Sequence, residues 1–315
     1  MNLETADNRI RSLRPPKARV DPHRAHGTLL EKERRPDGRI EQSLTVFLVG
    51  AECPFACSFC DLWQWTIDGP TPSGALTAQL EQVLASREGP MPNRVKLYNA
   101  SNFFDPRAVP PADVAGIASL LSGIEAITVE SHAATIGQRA TDFADSIPGR
   151  LEVALGLESI HPVALAESNK RLDLARFDHA VTLLNAHEID VRVFVLLGMP
   201  YVPTSESVEW TVRTVEYAAS AGASMVSIIP VRPGNGELER LQQLGFFTPP
   251  TLRQLEEAMK ATISQSKTVV TADLWDIAQL DACDECRVAR VKRLRAANLS
   301  GVLESGPPCQ ACGQL

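Results

Sequence analysis

The sequence contains no apolar run that approaches the roughly 20 residues needed for a membrane-spanning helix. Its N-terminus also lacks the hydrophobic core of a secretory signal peptide. An excess of basic residues is missing too, because 31 lysines and arginines stand against 38 acidic residues, for a net charge of −7. These absences predict a cytoplasmic protein without a membrane partner and without a general electrostatic attraction to nucleic acid.

The first forty residues depart from this acidic balance. Basic side chains outnumber acidic ones there, which is typical either of an arm that contacts phosphate or, more commonly, of a solvated tail. We therefore expect a tail. Within the same region, residues 28–33 and 39–44 flank the turn sequence Pro36-Asp37-Gly38, which predicts a β-hairpin.

Short aliphatic runs recur along the chain and alternate with helical patterns. Leu76, Leu80, Val83 and Leu84, for example, share one face of a predicted helix. This alternation predicts a parallel sheet covered by helices, and it stops after the sixth run. The six predicted strands are residues 44–49, 95–98, 126–130, 151–157, 191–197 and 225–231.

Three cysteines lie in one short segment directly after the first of these strands: Cys53, Cys57 and Cys60. Thiolates this dense can hold one iron–sulfur cluster, but a [4Fe–4S] cluster needs four ligands, and the next cysteine is Cys283. One iron is therefore expected to lack a protein thiolate. The alternatives are a structural zinc site and loose surface thiols. Zinc would also need a fourth ligand, and no other histidine or cysteine lies within the reach of the loop.

The C-x3-C-x2-C spacing, with Phe59 before the third cysteine, resembles the signature of the radical S-adenosylmethionine (SAM) superfamily. The resemblance implies that the open iron binds SAM and that one electron cleaves SAM to a 5′-deoxyadenosyl radical, which abstracts hydrogen from a substrate. A reducing partner such as flavodoxin or ferredoxin is then expected. The usual core of the superfamily has six strands. We accordingly predict an α/β fold: a partial (β/α)6 TIM-like barrel with a small N-terminal hairpin extension and a C-terminal four-cysteine metal-binding extension.

Residues at the ends of the predicted strands are the candidates for holding SAM. Many superfamily members carry a Gly-Gly-Glu-type segment after the second strand, which this chain lacks. Residues 96–106 instead resemble the subgroup of the archaeosine radical lyase and the elongator catalytic subunit. That resemblance implies contacts from strand-end polar residues, and from Lys170 or Arg171 to the SAM carboxylate. The candidates are Phe59, Asn99, Ser101, Glu130, Glu158 and Lys170, and no residue is predicted as a catalytic group.

The remaining four cysteines form two C-x2-C pairs separated by 22 residues: Cys283, Cys286, Cys309 and Cys312. Two such pairs resemble a structural zinc site with four thiolate ligands. The same residues can hold an auxiliary [4Fe–4S] cluster, or a cluster that donates sulfur. The elongator-like resemblance, in which a zinc accompanies the radical domain, favours zinc.

The predicted organisation has three parts: a basic N-terminal arm and hairpin (1–41), a radical SAM core (42–240) and a C-terminal extension with the four-cysteine metal site (241–315). The acidic balance favours a small molecule or biosynthetic intermediate as substrate, and a tRNA-modifying enzyme is the second hypothesis. A third hypothesis is a non-catalytic zinc-binding adaptor. Cysteines at a strand end of a β/α core argue against the adaptor.

Overall fold

A computed structural model describes residues 3–263 and 268–313 of the chain. Helices and strands alternate over most of this length, as the sequence predicts. In chain order the elements are α1 Leu3–Ser12, β1 Gly27–Arg34, β2 Ile40–Phe47, α2 Ala75–Ala85, β3 Arg94–Tyr98, α3 Pro111–Leu120, β4 Ala126–Ser131, α4 Gln138–Ser146, β5 Arg150–Glu158, α5 Pro162–Glu167, α6 Leu174–Ala186, β6 Asp190–Leu197, α7 Ser207–Ala221, β7 Met225–Pro230, α8 Glu237–Gln243, α9 Leu252–Ile263, β8 Val269–Ala272 and α10 Asp284–Ser300.

The eight strands form one sheet in the order of the chain. β1 is antiparallel to β2, and every pairing from β2 to β8 is parallel. The predicted α/β class and the six predicted strands, which are β2 to β7, are confirmed. The second strand of the predicted hairpin and the first strand of the predicted barrel are one continuous strand, because no turn residue interrupts β2. β8 extends the sheet at its other edge.

Alternate residues of each parallel strand face the surrounding helices. On β5 these are Val153, Leu155 and Leu157, which are fully buried in the hydrophobic core together with Phe177 and Leu184 of α6. The outer layer is therefore an ordinary apolar interface between a sheet and helices.

The inner face of the sheet is polar, and it carries ion pairs between strands that are far apart in the sheet. Glu33 of β1 accepts hydrogen bonds from Arg192 of β6 at 2.7 Å and from Lys96 of β3 at 2.9 Å. Arg35, just after β1, donates to Glu152 of β5 at 2.8 Å. Because β1 can reach β5 and β6 only across the interior, these contacts show that the sheet curls into a nearly closed barrel.

This buried charge cluster lowers the pKa of its carboxyl groups Glu33 and Glu152. Burial alone would raise the pKa of Glu152, but the guanidinium groups of Arg192, Arg94 and Arg35 hold that pKa well below its ordinary value. Arg94 also donates to Glu41 of β2 at 2.6 Å. Four cations meet three buried carboxylates and that of the exposed Glu31, which lies 3.1 Å from Lys96. The cluster thus fills the amino-terminal end of the barrel interior with paired charges.

Helix α10 contacts both edge strands, β1 and β8, and so covers the seam between them. The C-terminal extension is therefore packed against the barrel that it follows. Within residues 3–263 and 268–313, no helix has the length and apolar character needed to cross a membrane.

The expectation of a solvated N-terminal tail is wrong for residues 3–17. Residues 3–12 form α1, and its Ile10 is 2% exposed. The basic side chains of this segment form ion pairs with acidic residues of the barrel loops, with Arg9 paired to Glu237 and Arg14 to Glu52. An amphipathic segment with acidic partners on the surface beneath it folds onto that surface instead of remaining in solvent.

Replacement of Glu152 by alanine tests the importance of the interior cluster. We expect Glu152→Ala to lower the free energy of unfolding by about 3–5 kcal/mol, because Arg35 and Arg192 would each lose a buried carboxylate partner and the cluster would be left with an excess of buried positive charge. Urea denaturation followed by circular dichroism measures the change. The control is Glu257→Ala, which removes an exposed 2.7 Å pair with Arg253 and should cost less than about 1 kcal/mol. Equal losses in the two variants would contradict the proposed importance of the cluster.

Candidate functional site

Cys53, Cys57 and Cys60 lie in the loop after β2, at the carboxyl ends of the parallel strands. This is the end of a β/α barrel where functional groups collect. Burial raises the pKa of all three thiols, that of Cys57 to about 12, and the charge of one thiolate further raises the pKa of its neighbours. The three sulfurs are thus close enough to interact. They do not form a group whose sulfurs all lie within 4.8 Å of one another.

Three asparagine side chains, which follow β3, α5 and β7 in the chain, hold this cysteine loop in place. Asn102 Nδ2 donates to Cys53 Sγ at 3.4 Å. Asn169 Nδ2 donates to the carbonyl of Ala56 at 2.8 Å, and Asn235 Nδ2 donates to the carbonyl of Ser58 at 2.9 Å. None of the three was a predicted site residue, although Asn102 and Asn235 come soon after strand ends, which is the signal that could have found those two.

A second group of polar residues follows β3. Asn99 is fully buried, and neither its Oδ1 nor its Nδ2 has a hydrogen-bond partner among the residues that the structure describes. The hydroxyl of Ser101 is also buried without a partner in that part of the chain. Buried polar atoms are ordinarily satisfied, so these two side chains form a cradle for a polar ligand.

Glu130 of β4 shapes this cradle. Its Oε1 accepts the backbone N–H of Ala100 at 2.8 Å, and Ala100 has a positive φ of 52°. Burial raises the pKa of Glu130 to about 7, although the backbone N–H groups of residues 99–101 oppose the rise. The carboxyl group thus anchors the backbone that carries Asn99 and Ser101. Its predicted contact with SAM stays a prediction.

Glu158 and Lys170 form a buried ion pair beside the cysteine loop. Lys170 Nζ lies 2.8 Å from Glu158 Oε1 and 5.8 Å from the centre of the Phe59 ring. Burial opposes the charge of Lys170, yet Glu158 raises the pKa of the ammonium group above its ordinary value. A Cβ at Gly156 would overlap the Glu158 carboxylate, so only glycine leaves room for the pair. Of the two basic candidates, Lys170 faces the loop and Arg171 points away, to Asp7.

His132 connects these groups. Its ring stacks on Phe55 of the cysteine loop with 4.2 Å between ring centres, and its Nε2 lies 3.0 Å from the carbonyl of Lys170. Burial and the Lys170 charge lower the pKa of His132 to about 3, so the ring is neutral at physiological pH. The side-chain oxygen of Asn102 accepts the backbone N–H of His132 at 2.7 Å. The structure therefore brings every predicted SAM-contacting residue to one end of the barrel, around the cysteine loop.

The four other cysteines form a separate site at the start of α10. Their sulfurs all lie within 4.8 Å of one another, with 4.0 Å between Cys283 and Cys309 and 3.8 Å between Cys286 and Cys312. Backbone N–H groups of Cys312 and Ala311 lower the pKa of Cys309 to about 7. The predicted four-cysteine site is confirmed as a site that could hold a metal ion.

The fold is shared with known proteins. Methylornithine synthase (PylB) is 16% identical over 82% of this chain and 71% of its own, with a TM-score of 0.54. Elp3 from the archaeon Methanocaldococcus infernus is 16% identical over 62% of this chain, with a TM-score of 0.49. Coproporphyrinogen III oxidase (HemN) from Escherichia coli, described as a radical SAM enzyme, is 15% identical over 73%, with a TM-score of 0.48.

This chain spans about half the length of the matched Elp3 and HemN chains, 50% and 52%. No protein-family model matches the sequence, and no curated protein matches it. At these identities the similarity to methylornithine synthase establishes the fold. The function has to be argued from the site.

Because the buried amide of Asn99 has no partner among the described residues, replacing it with an apolar side chain is predicted to stabilise the ligand-free protein. Asn99→Leu should raise the free energy of unfolding of the ligand-free protein by about 1 kcal/mol, because it removes buried polar atoms that have no partner and keeps the side-chain size. Chemical denaturation of the metal-free protein measures this. Asn102→Leu is the matched control and should instead destabilise by about 1–3 kcal/mol, because the buried His132 N–H loses its acceptor. A loss of stability in both variants would show that Asn99 is satisfied in the ligand-free protein.

Proposed function

We propose that this protein is a radical SAM enzyme. The observation that carries the proposal is the placement of Cys53, Cys57 and Cys60 in one loop at the carboxyl end of the barrel, the end that also carries Asn99 and Ser101, whose buried side-chain polar atoms have no partner among the described residues. A buried amide without such a partner, at the same end of the barrel as three thiols, fits a site built for a polar ligand near a metal centre.

The residues of the loop fit a [4Fe–4S] cluster better than a single ion. Each thiolate of a cubane binds a different iron, so the sulfurs stand farther apart than they do around one ion. The sulfurs of Cys53, Cys57 and Cys60 do not all lie within 4.8 Å of one another, so they do not form the tight group that a single ion would need. Three thiolates would leave one iron for the amino and carboxylate groups of SAM.

When bound, the cluster would supply one electron to the sulfonium of SAM and so generate the 5′-deoxyadenosyl radical that takes hydrogen from the substrate. The protein holds and orients SAM. Lys170 presents a charged ammonium group for the SAM carboxylate, and Asn99 and Ser101 offer hydrogen-bonding atoms for its polar groups. Phe59 offers an apolar face for the adenine. Burial of Ala56, Cys57 and Ser58 limits the access of water to the loop.

A small molecule or biosynthetic intermediate is the proposed substrate. The net charge of −7 opposes a polyanion, and basic residues of the N-terminal segment are engaged in ion pairs, Arg14 with Glu52 and Lys17 with Glu52 and Asp68. Phosphate contacts would have to compete with these ion pairs. No contact of the described residues favours tRNA. A cytoplasmic location and an electron donor such as flavodoxin or ferredoxin complete the proposal.

Zinc is the proposed metal at the C-terminal site. A tetrahedral zinc with Zn–S bonds of about 2.3 Å places its sulfurs about 3.8 Å apart. The distances of 4.0 Å between Cys283 and Cys309 and of 3.8 Å between Cys286 and Cys312 match this value. The cysteine sulfurs around a cubane would lie farther apart. With four protein ligands the ion has no open position, which supports a structural role.

Two cysteine variants separate the roles of the two sites. Cys57→Ala should reduce 5′-deoxyadenosine formation to background, because the cluster loses a ligand. Cys309→Ala should retain the activity and lower the midpoint of unfolding, because the four-cysteine site holds the C-terminal segment in place. The assay is chromatography of products after anaerobic reconstitution with iron and sulfide, with SAM and dithionite present. Full SAM cleavage by Cys57→Ala would contradict the proposal.

Metal analysis tests the identity of both centres. Anaerobically prepared wild-type protein should contain about four irons and four acid-labile sulfides per chain and about one zinc. A triple alanine variant at Cys53, Cys57 and Cys60 should lose the iron and sulfide and keep the zinc. Iron and sulfide retained in the triple variant would assign a cluster to the C-terminal site and reject zinc there.

A further inference from the structure

Helix α1 lies across the cysteine loop and the segment after β5. Asp7 accepts hydrogen bonds from Asn169 Nδ2 at 2.7 Å and from Arg171 at 2.6 Å. The same Asn169 nitrogen donates to the Ala56 carbonyl in the cysteine loop at 2.8 Å. Asp7 therefore holds the residues on both sides of Lys170 and, through Asn169, reaches the loop.

Further contacts fix the same helix and the residues after it to the start of the cysteine loop. Glu52, the residue before Cys53, accepts from Arg11, from Arg14 at 2.7 Å and from Lys17 at 3.0 Å. The guanidinium of Arg14 also stacks on the ring of Trp63, 4.6 Å from its centre, just beyond the loop. The N-terminal segment thus contacts the residues just before and just after the cysteine loop.

The segment that carries Lys170 needs such a partner. Asn169 has a φ of 56° and Arg171 a φ of 58°, so two non-glycine residues adopt the left-handed conformation on either side of Lys170. Each such residue is held at a cost in free energy and persists only where surrounding contacts determine it. This alternation turns side chains 169 and 171 toward α1 and side chain 170 toward Glu158 and Phe59.

We propose that α1 is a clamp on the cysteine loop, in which Asp7 is a positioning residue that directs Lys170 into the SAM site. The role of Lys170 toward SAM rests on the function proposed above, whereas the clamp itself rests on the contacts of α1. The basic N-terminal segment, on this proposal, serves the site beneath it and does not contact nucleic acid.

Asp7→Asn tests the clamp, because it keeps the side-chain shape, removes the negative charge and replaces one of the two acceptor oxygens with an amide donor. In the metal-free protein, hydrogen–deuterium exchange of residues 52–60 and 168–172 should become at least about tenfold faster, a tenfold change corresponding to 1.4 kcal/mol. The rest of the barrel should be unchanged. The matched control is Asp145→Asn, on the exposed side of α4, which should exchange like the wild type.

A double-mutant cycle adds a test of the direct contact. Asp7→Asn and Arg171→Gln should each accelerate exchange, and the double variant should exchange little faster than Asp7→Asn alone, because the contact between Asp7 and Arg171 is already lost in that variant. After reconstitution, Asp7→Asn should keep its iron content and bind SAM about tenfold more weakly, which a merely structural role would not predict.

These outcomes separate the clamp from the proposed function. Accelerated exchange in Asp7→Asn, in a protein whose wild type neither binds nor cleaves SAM, would reject the function and leave the clamp standing. Normal exchange together with normal SAM affinity in Asp7→Asn would overturn the clamp, whatever the activity of the wild type.

Discussion

The buried ion pairs between β1 and the far side of the sheet are the constraint on which the rest of the structure depends. Charges as deeply buried as Glu33, Glu152 and Arg192 are tolerated only when each meets a partner. The pairs Glu33–Arg192 and Arg35–Glu152 join segments that are distant along the sheet. The barrel must therefore curl in one register to satisfy them. Since they fill its amino-terminal end, the carboxyl end is left for a functional site.

The two ends of the barrel differ in how fully their polar groups are satisfied. At the charged end the buried ions are paired, whereas the other end collects left-handed non-glycine residues and unpartnered atoms, among them Ala100, Glu158 and Asn99. A folded chain retains such costs where a ligand or a mechanism requires them. This asymmetry locates the site independently of the cysteine motif, and the two indications agree.

Local patterns in the sequence predicted much of this arrangement. The cysteine spacing, the six parallel strands and the N-cap of α6, where Asp173 accepts the Arg176 N–H at 2.7 Å, are each determined by residues close together in the chain. The asparagines that hold the cysteine loop were not predicted, because Asn169 and Asn235 meet it across 113 and 177 residues. The docking of α1 was not predicted for the same reason. The sequence of a basic segment does not indicate which acidic residues it will contact in the folded chain.

An open parallel sheet leaves two edges, and this chain covers them with its own terminal segments. β1 and β8 bound the seam, α10 packs on both, and the four cysteines lie where α10 begins and where the chain returns to it. A metal ion there would fix α10 to the segment after it and thereby hold the cover over the seam. At the carboxyl end, α1 plays the corresponding part over the cysteine loop. The polar barrel interior cannot supply hydrophobic closure, so the ends of the chain supply it, α10 through Val291 and Leu294 in the hydrophobic core and α1 through Ile10 and its ion pairs.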